Sequence, residues 1–356
     1  MQQLQSQLPI PITDLKSSLS VGLNDDGELD ELVHLLGGCI SPYLPIPTDN
    51  DDDDRQELGS GTHITVVQRP HEIVCPDVTD SNFIFDPKNH TELIREGKPM
   101  PRPRYRHTTI GINGHIWVLG GKDEDGQVIH EIDVYDSVRE QWRTLSTGLD
   151  EIQVDDDGYF HEYNDVSDFC VFDIGSDIFI AGGFDSEFIA LAHTIMIDTD
   201  ASLASDTLVY HIKSQMNVPR GSCSAISHAN LAFVVGGFTS EDGFCEAMKS
   251  VEVYDSMSDS WTEMGNDLII GRANLGLFYY ESSIIAFGGE IRGTFDLETG
   301  RCIDQFHIMD GFTVEMNKKT PHRLTFPVTT KNIEVLPLSH GHPDFSQPWT
   351  TKKVGG

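Results

Sequence analysis

Double glycines repeated along the middle of the chain constrain its fold more than any other feature. Each pair ends a short apolar run, and the four runs read HIWVLGG, DIFIAGG, LAFVVGG and SIIAFGG. They end at Gly121, Gly183, Gly237 and Gly289, at intervals of 62, 54 and 52 residues, and a weaker copy, ELVHLLGG, ends at Gly38. Self-similarity at such a period indicates repeated units that bury their faces against one another.

Aromatic residues share this register. Tyr135 and Trp142 are seven residues apart, as are Tyr254 and Trp261, within the closely similar segments VYDSVREQW and VYDSMSDSW. A Tyr or Trp offers a large apolar face, together with one polar atom that a local partner can satisfy. We therefore expect both pairs to be buried where neighbouring units meet.

Each repeat reads as β structure. The apolar runs are short, rich in β-branched and aromatic residues, and bounded by turn formers such as Asn113-Gly114. No segment holds a 3.6-residue apolar stripe of helical length. Four short strands with their turns need roughly 40–50 residues, which is the size of one propeller blade.

A double glycine after an apolar strand, followed by Tyr and then Trp, resembles the kelch repeat. RPRYRHTTIGINGHIWVLGGKDEDGQVIHEIDVYDSVREQW and the segment beginning VPRGSCSAISHANLAFVVGG are similar to it. The resemblance implies an all-β, kelch-type β-propeller of five or six four-stranded blades over 21–356, preceded by an N-terminal tail, 1–20. The residues expected to form the repeat are Gly120, Gly121, Tyr135, Trp142, Gly182, Gly183, Gly236, Gly237, Tyr254, Trp261, Gly288 and Gly289.

Several segments depart from the repeat. The copies around Gly183 and Gly289 lack the Tyr and Trp pair. Residues 79–94 resemble the outer strands of an earlier blade, with Phe85 at the Tyr position, and 310–356 supplies RLTFPV and NIEVLPL as strands of a sixth blade. Acidic insertions lie near 48–61 and 150–168. Long loops of this kind are usually functional or disordered.

The charge balance limits the classes of partner. The chain has 24 Lys and Arg against 57 Asp and Glu, a net charge of −33. Such a field repels phosphate backbones and anionic lipid, which argues against nucleic acid and membrane partners. A basic protein surface or a cation is compatible with it, and the simpler alternative is that the charge only maintains solubility.

The six cysteines form no CxxC pair and no zinc-finger spacing. Their simplest interpretation is buried, reduced thiols in a reducing compartment, although an even number leaves disulfides open. No apolar run approaches the ~20 residues of a membrane span, and the N-terminus does not resemble a secretory signal. These features predict a cytoplasmic protein.

No catalytic or metal motif stands out. The runs Asp51–Asp54 and Asp155–Asp157 do not match the EF-hand spacing, the 15 histidines are scattered, and GxSxG and P-loop motifs are absent. We therefore expect no cofactor, no bound metal and no enzymatic activity. The sequence favours a non-enzymatic protein-interaction module that uses the loops on one face; the alternatives are a metal-dependent or carbohydrate-processing enzyme, or a passive scaffold.

Arginines provide the candidate binding site. Arg104, Arg220 and Arg272 each precede the first glycine of their pair by 16 residues, Arg106 is an added neighbour, and the Gly183 copy has Val166 instead. In kelch propellers that grip acidic peptides, arginines from this position line the face around the central channel. The resemblance thus implies a protein partner with an acidic segment. The alternative is that these arginines bridge blades through buried acidic partners.

Overall fold

Five four-stranded antiparallel sheets form a ring, so the protein is a β-propeller. The computed structural model describes residues 16–23, 29–39, 44–45, 73–75, 77–86, 94–156, 159–239, 247–280, 282–296, 301–302, 323–329, 333–339, 342–343 and 348–352. The acidic insertion at 48–61 lies outside these residues.

Blade 1 is built from two pairs of strands separated in sequence. Its strands, in spatial order, are β1 (Lys16–Leu23), β2 (Leu29–Leu36), β5 (Asn82–Phe85) and β6 (Ile94–Glu96). The chain between β2 and β5 forms a separate small sheet of β3 (Leu44–Pro45) and β4 (Ile73–Val74). Phe85 pairs with Val33, which lies four residues before Gly37. Tyr135 and Tyr254 likewise pair with the residue four positions before the first glycine of their own blades. The interpretation of 79–94 is confirmed, and β1 begins inside the segment expected to be a tail.

A disulfide joins Cys39, just beyond β2, to Cys75, just beyond β4. Their Cα atoms are 5.9 Å apart, and both residues are fully buried. The expectation of reduced thiols is therefore wrong for this pair. Sequence spacing could not identify it, because the two cysteines meet only once blade 1 has folded.

Blades 2, 3 and 4 are each built from four consecutive strands. Blade 2 contains β7 (Thr108–Ile112), β8 (His115–Leu119), β9 (Asp133–Asp136) and β10 (Gln141–Thr144). Blade 3 contains β13 (Cys170–Ile174), β14 (Asp177–Ala181), β15 (Thr194–Ile197) and β16 (Tyr210–Lys213), and blade 4 contains β17 (Ser224–His228), β18 (Leu231–Val235), β19 (Val251–Asp255) and β20 (Ser260–Glu263).

Two further elements, a hairpin and a short helix, lie outside the four-stranded sheets of these blades. The acidic segment between blades 2 and 3 forms a hairpin of β11 (Gln153–Asp156) and β12 (Tyr159–Glu162), between 3-10 turns at Leu149–Glu151 and Tyr163–Asp165. A short helix, α1 (Thr199–Ser205), connects β15 to β16. Its N-cap, Asp198, accepts a hydrogen bond from the Ala201 backbone N–H, which satisfies one of the free donors of the first turn.

Blade 5 contains a long insertion. Its sheet is formed by β21 (Gly276–Tyr280), β22 (Ser283–Phe287), β26 (Ile333–Ser339) and β28 (Thr350–Lys352), with β27 (His342–Pro343) beside β26. A separate three-stranded sheet of β23 (Glu290–Asp296), β24 (Arg301–Cys302) and β25 (Arg323–Thr329) lies between β22 and β26 in the chain. NIEVLPL thus supplies the third strand of blade 5, and RLTFPV belongs to the inserted sheet; neither contributes to a sixth blade among the described residues.

The first strands of successive blades contact one another, so they surround the centre of the ring. Apolar layers fill each interface, for example Ile112, Trp117 and Leu119 of blade 2 against Ile178, Ile180 and Ile195 of blade 3. The predicted aromatics occupy these layers. Tyr135 and Tyr254 are each 1% exposed, Trp261 is 8% exposed and Trp142 is half-buried.

Three tryptophans also bind the blade that precedes their own. Trp142 donates its indole N–H to the Lys98 carbonyl at 2.9 Å, and Trp261 donates to the Ser214 carbonyl at the same distance. Trp349 of blade 5 makes the equivalent bond to Asn266 at 3.1 Å. Each acceptor lies just beyond the last strand of the preceding blade, so this residue position fastens neighbouring blades.

Candidate functional site

Strand direction gives the two faces of the ring different connections. Within each antiparallel blade, the start of the first strand, the end of the second and the start of the third lie at one edge, together with the link to the next blade. We call this edge the loop face. The opposite edge, the turn face, carries short connections such as Asn113-Gly114 and Ala229-Asn230, with α1 as its longest described element. The double glycines and the four candidate arginines all belong to the loop face.

The three repeat arginines are buried inside their own blades. Arg104, Arg220 and Arg272 are 0% exposed. Each donates a guanidinium N–H to the carbonyl of the first glycine of its pair, at 2.8, 3.1 and 3.0 Å. Each also pairs with a fully buried carboxylate on the third strand; the three ion pairs are Arg104–Asp133, Arg220–Glu252 and Arg272–Glu334.

The backbone of the same arginines binds the preceding blade. The second glycine of that blade donates its N–H to the arginine carbonyl, at 3.0 Å for Gly38, 2.9 Å for Gly183 and 3.0 Å for Gly237. At Gly236, with φ of +65°, an added Cβ would lie 2.1 Å from the Arg272 carbonyl oxygen. The double glycine is therefore required both for its positive φ and for the approach of the next blade.

Blade 3 replaces the ion pair with apolar residues. Val166 occupies the arginine position. Ile195 occupies the carboxylate position, because it pairs with Ile180, two residues before Gly182. Glu252 in the same way pairs with Val234, two residues before Gly236. Both lie in the same apolar cluster. Within one chain, the arginine and the carboxylate are present together or absent together, which is what a structural pair requires.

These arginines do not form the open cationic face that the sequence interpretation required. Their charges are met inside the blade, and their side chains are closed to solvent. The sequence identified the arginines by their offset and left buried acidic partners as the alternative, but it did not say which residues these are; they lie in the same blade as the arginine. The signal was present in the segments IDVYD, VEVYD and IEVLP, where the second residue is acidic in each blade that carries the arginine.

Four residues with positive φ stand two positions after the arginine position of blades 2 to 5. They are Arg106, Asp168, Ser222 and Asn274, with φ of 56°, 58°, 53° and 49°. Positive φ is uncommon outside glycine. Here it serves contacts between blades: the Ser222 N–H donates to the Asp168 carbonyl at 2.7 Å, and the Asn274 N–H donates to the Ser222 carbonyl at 2.8 Å.

Arg106 is the candidate arginine nearest to solvent, and it too is engaged. Its Nε lies 2.8 Å from Oδ1 of Asp168 in blade 3, and its side chain is 16% exposed. Burial alone would raise the pKa of Asp168, but the charges of Arg106 and Lys122 outweigh it and lower that pKa. Burial lowers the pKa of Lys122. The group joins blades 2 and 3 through one carboxylate that lies near two cations.

Two loops on the loop face share one preformed geometry. Oδ1 of Asp123 accepts the Asp125 and Gln127 backbone N–H groups at 3.0 and 2.8 Å. Oδ1 of Asp185 accepts the Glu187 and Ile189 N–H groups at 2.9 and 2.8 Å. Each of these aspartates lies three residues after the first glycine of its pair. The loop tips are exposed, and their charged residues are acidic: Glu124, Asp125 and Glu187.

A cavity of about 340 Å³ lies between blade 2 and α1. Its lining contains Arg139, which pairs with Asp136 at 2.6 Å, and Arg143, which donates to the Leu203 carbonyl at 2.9 Å. Its cations therefore already have partners. Across the described part of the chain, no group of three or more His, Cys, Asp or Glu is arranged to hold a metal ion. No helix among the described residues is long and apolar enough to cross a membrane.

Comparison with known proteins agrees with this architecture. The family described as the kelch motif matches residues 103–148 and 219–267, which cover blades 2 and 4. A solved structure titled "Structure of YjhT" superposes with a TM-score of 0.51 at 12% identity, over 79% of this chain and 74% of that chain. At this identity the likeness concerns the fold alone. No curated protein matches the chain. Two kelch motifs within a ring of five antiparallel blades are consistent with a kelch-repeat family of β-propellers.

Proposed function

We propose that this propeller is a non-enzymatic interaction module that binds a protein partner through its loop face, and that the bound segment is basic. Propeller folds host many functions, so the proposal rests on the surface of this chain and not on the fold. The observation that carries it is that the exposed charges of the two ordered loops are acidic, while the four candidate arginines are already engaged with carboxylates.

The loops have features expected of a recognition surface. Each is held by an aspartate that accepts two backbone N–H groups, so little conformational freedom is lost on binding. Glu124, Asp125 and Glu187 are exposed, and the same loop as Glu187 carries Ile189, an apolar side chain that is 49% exposed. An acidic rim beside an apolar contact suits a segment with Lys or Arg next to an apolar residue.

An acidic partner receives no support from the four candidate arginines. It needs accessible cations, whereas Arg104, Arg220 and Arg272 are buried and Arg106 is bound to Asp168. The net charge of −33 adds long-range repulsion. A basic segment is instead attracted by the exposed acidic side chains and by the net negative charge, and it would associate faster at low salt.

The cytoplasmic location predicted from the sequence stays a prediction. The Cys39–Cys75 disulfide points the other way, because such bonds are rare in reducing compartments. A count of free thiols in the denatured protein isolated from its native source, before and after reduction, distinguishes the two. Six free thiols before reduction would support the cytoplasmic location, and four would oppose it.

Affinity capture from a lysate with paired variants tests the interaction. Glu124→Gln with Glu187→Gln removes two charges from the loop face. The matched control, Asp200→Asn with Asp206→Asn, removes two exposed charges from the turn face. We expect the loop-face variant alone to lose a partner with a basic segment. Equal retention by both variants would contradict the proposal, and turnover of a small molecule would favour an enzyme.

A further inference from the structure

The two buried thiols of blades 3 and 4 lie in one interface layer. Cys170 is the first residue of β13 and is 4% exposed, and Cys223 directly precedes β17 and is 7% exposed. Both belong to the apolar cluster between these blades, together with Phe172 and Ala232. The Cys170 thiol donates to the Ala181 carbonyl of its own blade at 3.5 Å. The two thiols are close enough that each shifts the pKa of the other.

The repeat itself explains this contact. Thr108 stands at the position of Cys170 in blade 2, and its hydroxyl donates to the Phe169 carbonyl of blade 3 at 3.4 Å. Ser224 stands there in blade 4, and its hydroxyl donates to the Leu275 carbonyl of blade 5 at 2.7 Å. Phe169 and Leu275 occupy the position of Cys223. The side chain at the Cys170 position of one blade thus contacts the residue at the Cys223 position of the next blade, across each described interface from blade 2 to blade 5. Only between blades 3 and 4 are both residues cysteine.

Backbone contacts hold the two strand starts together. The Ser222 N–H donates to the Asp168 carbonyl at 2.7 Å, one residue before Cys223 and two before Cys170. The side chains that follow alternate into the same layer, Phe172 from β13 and Ala225 from β17. The two strand starts therefore lie side by side across the interface, which brings both cysteines into one layer.

We propose that Cys170 and Cys223 are a redox-active pair, and that two-electron oxidation joins them in a disulfide which fastens blade 3 to blade 4 on the loop face. A hydroperoxide is the oxidant. The Cys223 thiolate attacks the O–O bond, an S–O bond forms, and the leaving oxygen takes a proton. The Cys170 sulfur then displaces the hydroxyl from Cys223 sulfur, and its proton leaves with that oxygen as water.

The surroundings support Cys223 as the attacking sulfur. The neighbouring Cys170 thiol lowers the pKa of Cys223, burial opposes this, and the nearby Arg220 charge lowers it further. The Cys223 thiol in turn raises the pKa of Cys170. One sulfur is thereby favoured as thiolate while the other retains its proton until the second step.

The test uses the full chain with Cys245→Ser and Cys302→Ser, so that only this pair remains outside the Cys39–Cys75 disulfide. After treatment with hydrogen peroxide, free thiols are alkylated and the protein is digested with trypsin. We expect peptides 144–213 and 221–249 to be linked, with a mass two hydrogens below their sum. The melting temperature should rise by a few degrees and return after reduction with dithiothreitol.

Cys170→Ser in the same background is the control. It copies the hydroxyl found at Ser224 and Thr108, so the fold should survive, and neither the linked peptide nor the rise in melting temperature should appear. Both thiols remaining open to alkylation after peroxide, oxidation to sulfonic acids without a link, or a link between two chains would each overturn the proposal.

Discussion

The buried ion pair of blade 4 predicts strong thermodynamic coupling between Arg220 and Glu252. The guanidinium lies 2.9 Å from Oε1 of Glu252 and also binds the carbonyls of Gly236 and Ser250. The carboxylate accepts two further backbone N–H groups, from Asn217 and Val218. Removing either member leaves a fully buried charge without its counter-ion, which costs roughly 3–5 kcal/mol.

Blade 3 suggests the compensating change. Arg220→Val with Glu252→Ile copies Val166 and Ile195, which occupy these positions without charge. The double variant leaves backbone groups unsatisfied but no isolated charge, so we expect it to cost no more than either single variant. Additive costs would reach about 6–10 kcal/mol, so the coupling energy should be about 3 kcal/mol or more.

Urea unfolding of the four proteins, followed by tryptophan fluorescence at constant pH, measures this coupling. The free energies of unfolding of the four proteins can be compared if they depend on urea concentration with the same slope. Single variants that cost under about 1 kcal/mol would contradict the reasoning, because they would mean that the buried charges tolerate isolation. Strictly additive costs would also contradict it.

Other parts of the molecule give further predictions. Trp261→Ala should cost about 3–5 kcal/mol and Trp142→Ala about half of that, because Trp142 is only half-buried; urea midpoints compare them. Burial lowers the pKa of His34 to about 4, so stability should be complete above pH 6.5 and fall by roughly 3 kcal/mol as the pH drops towards 4; a flat melting profile, or one that His34→Gln does not flatten, would count against this. Replacing 48–61 with a short Gly/Ser linker should leave the melting transition unchanged, since its Asp run has nothing apolar to bury. Elemental analysis should find no stoichiometric copper, iron or zinc, and about one ion per chain would favour the enzyme alternative.

The sequence predicted the repeat more fully than the site. Double glycines and the Tyr and Trp pairs are local signals, and local signals were sufficient to identify the propeller. The role of the arginines depended on partners that sequence order separates: Glu334 lies 62 residues after Arg272 because an inserted sheet intervenes. Offset within a repeat identifies a position but does not say whether that position is exposed.

Contacts between blades were the least predictable. Cys170 and Cys223 meet because the first strands of neighbouring blades share a register, which becomes evident only when Thr108 and Ser224 are compared in the folded ring. The Cys39–Cys75 disulfide likewise depends on the path between β2 and β5. Pairing across such distances is set by tertiary structure rather than by spacing.

Site-specific photo-crosslinking tests the proposed interaction most directly. A benzophenone amino acid is placed either at Gln127, exposed in the first ordered loop of the loop face, or at Met257, which is 82% exposed on the turn face. After irradiation in a lysate, partners are identified by mass spectrometry. We expect a protein to be crosslinked through a Lys- or Arg-rich segment from Gln127 and not from Met257. A partner captured from Met257 alone, or through an acidic segment at Gln127, would contradict it.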